Sequence, residues 1–295
     1  MLLDGATGTE LEHRGADMND DAWCAMATLT HGDLLRDIHE DYIRTGCDVI
    51  IANTYATSRA MLTPAGYGDR VGEMVSRSVE IAKEARDRAS GGRDIAIAGS
   101  ISHMMPMDKG TAARDVDQVL AQEAAMANFR ELAEHLAEAG VDFIMMETMY
   151  DPDLAIPAVA AAVATGLPVW TGFSATRTAE GNLIGFLRED LSFGEIVQTV
   201  LSEGGTVAGV MHTNVSMMPN ALDVLQEHWS GPLMAYPDTG YFEMPNWQFV
   251  DVIEPDAFTA HCLNLVAGGV QVIGGCCGIG LEHMRALAQG LGRTD

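Results

Sequence analysis

Short apolar and β-branched runs recur along this chain, and each is followed by a longer segment of helical character. The runs are "LLDGAT", "DVIIANTY", "DIAIAGSI", "VDFIMMET", "LPVWTGFSA", "TVAGVMHT", "LMAYPDT" and "VQVIGGC". Between them lie amphipathic stretches such as "HGDLLRDIHEDYIRTG", "VGEMVSRSVEIAKEARDRA" and "AAMANFRELAEHLAEAG". The last has apolar residues at spacings near three and four, with Gly140 placed to end the helix. Strands alternating with helices are the signature of βα units and a parallel sheet. Eight such pairs in 295 residues predict a (β/α)8 barrel, a single domain over residues 1–295. A doubly wound open sheet is the competing arrangement. No Gly/Ser-rich linker divides the chain. "FEMPNWQFVDVIEPDAF" reads as an irregular insertion after the seventh strand, a loop over the top of the barrel.

A barrel of this kind carries its chemistry at the C-terminal ends of its strands. Those ends read Asp4 with Gly5, Asn53 to Tyr55, Ser100, Glu147, Ser174, His212, Tyr236 with Asp238, and Cys276 with Cys277. The adjacent cysteines pose the sharpest question. A disulfide between neighbouring residues would be strained, and a structural zinc finger spaces its cysteines two to four residues apart. The other cysteines, Cys24, Cys47 and Cys262, are scattered, and an odd total of five forms no disulfide framework. Zinc at a catalytic site takes three protein ligands of sulfur or imidazole type and keeps one position open. Cys276 and Cys277 supply two ligands if Gly274, Gly275 and Gly278 let the strand end curl. His212, ending a strand of the same parity, is the candidate third. A lone strand-end histidine is more often a core residue, and a Cys-Cys pair alone is more often incidental. Their joint placement at two strand ends of one barrel favours zinc.

Composition narrows the partners. A net charge of −25 argues against nucleic acid, whose phosphates would be repelled, and against anionic membranes. It is compatible with a cationic small molecule, although such a balance is more often a solubility feature. The longest apolar runs, "VDFIMM" and "AIPAVAAAVATG", are too short or too rich in small residues to span a bilayer. Met1 is followed at once by "LLDGATGTEL", which leaves no room for a secretory signal, so a cytoplasmic location is expected.

"LLDGATGTEL", "ANTYATS", "VDFIMMET", "SATRTAEGNLIGF" and above all "VIGGCCG" resemble the zinc-dependent homocysteine S-methyltransferases. That family includes betaine–homocysteine methyltransferase, S-methylmethionine-dependent enzymes and the homocysteine module of cobalamin-dependent methionine synthase. The resemblance runs in order along essentially the whole chain. It implies a (β/α)8 barrel, a Zn2+ cofactor and transfer of a methyl group to the thiol of homocysteine, forming methionine. The implied donor is a small cation, a sulfonium or betaine, or a methylcorrinoid carried by a corrinoid protein partner. Carried over by position, Cys276 and Cys277 match the paired zinc cysteines. Asp4, beside Gly5, and Glu147 match the carboxylates that hold the amino acid's ammonium. Trp23 in "DAWCAM" and Tyr55 match aromatics on the methyl-donor side. No catalytic residue is implied beyond the zinc-activated substrate thiol.

The chain departs from the family at the site itself. The sixth strand usually ends Gly-Val-Asn-Cys, the cysteine being the third zinc ligand; here it reads Gly209-Val210-Met211-His212. The usual Ser-Ile-Gly-Pro after the third strand reads Ser100-Ile101-Ser102-His103. Two thiolates and a neutral imidazole leave zinc formally neutral where three thiolates make it anionic. The metal is then more electrophilic, which suits a strongly activated donor, a sulfonium or methylcorrinoid, over a quaternary ammonium. Two other functions stand beside this one: methylation of a different thiol or selenol, and a non-catalytic zinc-binding paralogue acting as a sensor or partner subunit. Asp4 and Glu147 favour the enzyme, since a metal holder has no need of ammonium-binding carboxylates. Residue by residue, Asp4 has a turn or cap role as its plain alternative, Glu147 a salt bridge to a loop Arg or Lys, and Trp23 and Tyr55 a place in the core.

Overall fold

The computed structural model describes residues 1–18, 21–106, 120–243 and 248–293. In chain order the strands are β1 (Val49–Ala52), β2 (Ala96–Ser102), β3 (Phe143–Met149), β4 (Val169–Phe173), β5 (Ala175–Arg177) and β6 (Leu183–Gly185). They continue with β7 (Arg188–Ser192), β8 (Val207–Asn214), β9 (Leu233–Asp238), β10 (Tyr241–Glu243), β11 (Gln248–Val250) and β12 (Val272–Ile273). Seven of them form one sheet in the order β1-β2-β3-β4-β8-β9-β12, and every pairing within it is parallel.

Residues 1–4 occupy the eighth position, between the two ends of that sheet. Leu2 makes a parallel bridge to Ile273, and the Leu3 N–H donates to the Ile273 carbonyl at 2.8 Å. On the other side the Asp48 N–H donates to the Leu2 carbonyl at 2.8 Å. The expected first strand is therefore an extended segment bonded on both flanks rather than a full ladder. Its pairing with β1 stops at Asp4, whose side-chain Oδ2, not its carbonyl, takes the Ile51 N–H at 2.8 Å. This closure excludes the open doubly wound sheet.

Each barrel position is followed by a crossover helix: Gly32–Thr45, Val71–Ala89, Gln122–Ala139, Pro152–Val163, Phe193–Leu201, Met218–Gln226, Pro255–Ala267 and Leu281–Gly290. Their ends follow local chemistry. Gly140 caps Gln122–Ala139 in the left-handed conformation at φ 75°. Ser192 and Glu195 form a reciprocal capping box on Phe193–Leu201. The larger apolar core lies between sheet and helices, and a smaller one fills the barrel with Leu3, Val49, Ala98, Phe143, Met145 and Met234 among others. Phe143 and Trp170, near the starts of β3 and β4, stack at 4.0 Å between ring centroids. They plug the N-terminal half and leave the C-terminal end open for a cavity. Among the described residues no helix is long and apolar enough to cross a membrane.

Two insertions carry structure that the sequence reading did not assign. Between β4 and its helix, β5, β6 and β7 form a small antiparallel sheet. After β9, the stretch expected to be irregular begins as an antiparallel hairpin, Tyr241 facing Val250, with residues 244–247 outside the described residues. Four of these five strands have three residues and β7 has five, too short to display a period, which is why neither insertion was legible.

Candidate active site

Two bulges aim the strand ends. Met146 pairs with Thr171 and Met149 with Phe173, so β3 carries one extra residue at Glu147–Thr148. Met211 pairs with Tyr236 and Asn214 with Asp238, so β8 carries one extra residue at His212–Thr213. A regular strand sends neighbouring side chains to opposite faces, and a bulge breaks that alternation. Met211 can then pack inside the barrel while His212, next in sequence, also lines the cavity. Thr148 and His212 sit in the left-handed region at φ 57° and 42°. Four of the five described non-glycine residues with positive φ, Trp23, Thr148, Leu187 and His212, line this one cavity. Backbone strain of that kind costs on the order of 1–3 kcal/mol per residue and clusters at functional sites. The β8 bulge is tied down by Ser174, whose hydroxyl donates to the Met211 and His212 carbonyls at 3.0 and 3.1 Å.

The end of β12 is bent by a different device. The Cys276 N–H donates to the Pro237 carbonyl at 2.8 Å, and the Ile279 N–H returns to the Cys276 carbonyl at 3.0 Å. Gly278 takes φ 76°, the conformational freedom expected of it. Gly274 and Gly275 serve by close approach instead, since a Cβ on them would stand 2.6 Å from Leu3 Cβ and 2.2 Å from Ile279 Cγ2.

These devices bring three donor atoms together. Cys276 Sγ lies 3.9 Å from His212 Nδ1 and 3.8 Å from Cys277 Sγ, and the three donors are all within 4.8 Å of one another. An ion bonded tetrahedrally to sulfur at ~2.3 Å requires an edge of about 3.8 Å, so the spacing matches a small thiophilic ion. Asp238 Oδ2 is 3.4 Å from His212 Nδ1. Burial works to lower the His212 pKa, but Cys276, Asp238 and Glu147 outweigh it and raise it to about 9. Cys276 is pushed well above the ordinary thiol range by its contact with Cys277 and by burial, with His212 opposing.

Across the cavity stand two carboxylates. Asp4 is buried; Oδ2 is occupied by Ile51, and Oδ1 is buried with no partner. Burial, with the Glu147 charge adding to it, raises its pKa well above the ordinary range against the pull of the Ile51 hydrogen bond. Glu147 accepts a hydrogen bond from the Ser100 hydroxyl. Burial raises its pKa to about 7, against that hydrogen bond and the charge of His212. Among the described residues no Arg or Lys pairs with either carboxylate, so the loop salt bridge weighed for Glu147 is not what the structure shows. Gly5 lines the same wall, and a Cβ there would meet the Ile279 carbonyl at 2.7 Å.

Aromatic groups face the rest of the cavity, whose volume is about 320 Å³. Trp23 and Tyr55 meet edge to face at 5.6 Å, and Tyr55 Oη is 3.1 Å from Thr148 Oγ1. Phe186, from the β6–β7 turn, stands edge-on to His212 at 4.8 Å and to Tyr150 at 5.6 Å.

All eight residues singled out from the sequence, Asp4, Gly5, Trp23, Tyr55, Glu147, His212, Cys276 and Cys277, line this single cavity. Other strand-end residues serve the scaffold. Asn53 donates to the Cys24 carbonyl at 2.9 Å and to Thr28 at 3.2 Å. Fully buried His103 accepts from the Tyr150 N–H at 3.0 Å and packs on the Tyr150 ring. Phe186 and Tyr150 were not found from sequence. Phe186 lies in an insertion without period, and Tyr150 stands just beyond a strand end.

A family model described as homocysteine S-methyltransferase matches residues 1–291. Among curated proteins, the selenocysteine methyltransferase of Astragalus bisulcatus is 26% identical, over 94% of this chain and 88% of that one. The homocysteine S-methyltransferase of Escherichia coli (strain K12) is 28% identical, over 94% of this chain and 90% of that one. Among solved structures, the metallated form of the homocysteine methyltransferase MmuM from Escherichia coli superposes with a TM-score of 0.75 at 23% identity, covering 98% of this chain and 95% of that one.

Proposed function

The chain belongs to the homocysteine S-methyltransferase family, whose members are methyltransferases, and from that premise we propose that it moves a methyl group from a small cationic donor to the thiol of homocysteine, with zinc held by His212, Cys276 and Cys277. The observation that carries the reading is that one cavity joins the three-donor cluster to two buried carboxylates that, among the described residues, pair with no Arg or Lys. Zinc bound there would lower the pKa of a coordinated substrate thiol so that thiolate exists at neutral pH.

The chain's own residues supply the rest. Asp4 Oδ1 and Glu147 accept N–H bonds from the substrate ammonium and so fix where its sulfur can reach. Trp23, Tyr55, Tyr150 and Phe186 offer ring faces and edges to the cationic donor and exclude water from the transfer path. The sulfur lone pair forms the new S–C bond as the donor's bond to that methyl breaks, and the donor leaves with the electron pair, one positive charge lighter. No side-chain base is needed once the thiol has lost its proton. A sulfonium or methylcorrinoid suits the Cys2His set better than a quaternary ammonium, for the charge reason given above. A selenol acceptor is the second reading, favoured by the selenocysteine methyltransferases among the relatives.

The direct test offers the zinc-loaded protein homocysteine or selenocysteine with S-methylmethionine, betaines, dimethylsulfonio compounds, methylfolate or methylcorrinoid proteins. Methylated product from at least one pair is expected; none from any pair overturns the reading. Glu147→Gln should weaken homocysteine binding by roughly 1–3 kcal/mol with zinc content unchanged. Because the Glu147 pKa is raised to about 7, the carboxyl is neutral below that pH and ionised above it. Wild-type affinity should accordingly gain a component as pH rises through 7 that the variant lacks. Calorimetric titrations from pH 6 to 8 check both, and superimposable pH profiles would remove Glu147 from the binding site.

A further inference from the structure

Tyr236 has a hydroxyl that is buried, without a hydrogen-bond partner, and part of a residue lining the cavity. Only 2% of the residue is exposed. It stands on β9 opposite Met211, packed in the barrel interior. Its hydroxyl crosses toward β4, where Gly172 makes room: a Cβ there would lie 3.0 Å from the hydroxyl and 2.7 Å from Met211 Cγ. A buried hydroxyl with no partner costs the folded state free energy, so its partner is to be sought among what enters the cavity.

The field at that hydroxyl selects the partner. Burial first, and then the nearby Glu147, Cys276, Tyr55 and Asp4, disfavour ionisation of Tyr236, so the phenol keeps its proton. The Asp4 and Glu147 carboxyls on the same cavity are acceptors for an N–H of a cation and poor neighbours for a second carboxylate. Asp4 Oδ1 is a second buried, partnerless oxygen on the same cavity. A substrate ammonium carries three N–H donors, and Asp4 and Glu147 account for two of them.

Resting on the acceptor assignment above, we propose that Tyr236 is a substrate-binding residue whose phenol oxygen accepts the third N–H of the amino-acid ammonium. Asp4, Glu147 and Tyr236, from three separate barrel positions, then hold the head group as a tripod. The phenol also discriminates: a thiol without an amino group leaves it as unpartnered as it is in the free protein.

The test is Tyr236→Phe in the zinc-loaded protein, titrated by calorimetry with homocysteine and with 4-mercaptobutanoate, which is homocysteine without its amino group. The Kd for homocysteine should rise roughly ten-fold, while that for the desamino ligand stays within about two-fold. The melting temperature should hold or rise, because an unsatisfied hydroxyl has left the interior. An unchanged Kd for homocysteine overturns the proposal. So does equal weakening of both ligands, or a lowered melting temperature with equal weakening, since either marks a packing role. If the wild-type protein binds neither homocysteine nor selenocysteine, it is the acceptor assignment that fails, and the tripod falls with it.

Discussion

Cys276→Ala and Cys277→Ala should each lower zinc affinity by more than about 100-fold and abolish methyl transfer while leaving the barrel folded. Removing a residue that merely supports a metal ligand typically costs 10–100-fold, and removing the ligand itself should exceed that. Without the metal, the substrate thiol keeps an ordinary pKa near 8.5 and is mostly protonated at neutral pH. Stability should change little, because both cysteines are only partly buried and their bent backbone is held by main-chain bonds from Cys276 to Pro237 and from Ile279 to Cys276. Metal analysis alongside thermal melting reads both effects. Full zinc occupancy in both variants would show that the pair is not the site. A large fall in melting temperature would show that the sulfurs carry the fold.

At His212 two substitutions should pull in different directions. His212→Ala should lose zinc affinity and thiol activation together. His212→Cys should keep zinc and move the pH dependence of transfer upward. The sign follows from charge: a third thiolate makes zinc less electrophilic, so the substrate thiol needs a higher pH to ionise. Backbone strain bears on the two variants alike, since alanine and cysteine each carry a Cβ at φ 42°. X-ray absorption should report two sulfurs and at least one nitrogen before substrate, and three sulfurs once homocysteine binds. A first shell without nitrogen, or an alanine variant with normal zinc and activity, would show that the metal is held some other way.

The barrel was legible because its eight short apolar runs alternate with crossover helices that carry a clear amphipathic period. The site was legible in part because barrel strands end where chemistry sits, and Cys276, Cys277, Glu147 and Asp4 are polar where a strand should be apolar. The means of assembly were hidden. A bulge adds one residue without altering composition, so nothing in "VAGVMHTN" announced that Met211 and His212 would both face inward. The β5–β7 sheet that delivers Phe186 has strands too short to register. Tyr236 stood among the strand-end residues with no role attached, and only its partnerless hydroxyl separates it from a core aromatic.

The seam between residues 1–4 and β12 has a temporal consequence. Asp4 belongs to the first residues of the barrel, and Cys276 lies just past its last strand. Near them, the Leu281 N–H reaches the Glu10 carboxylate at 2.8 Å across 271 positions of sequence. Contacts of such separation form late, because loop closure must be completed before they return any stabilisation. During synthesis the carboxylate waits at one end while the thiols are still untranslated, so the proposed metal site would be complete only once the last strand has joined the barrel. Two exposed neighbouring thiols on an immature chain have neither His212 nor a cavity wall to shield them, and that interval is when oxidation would reach them most easily.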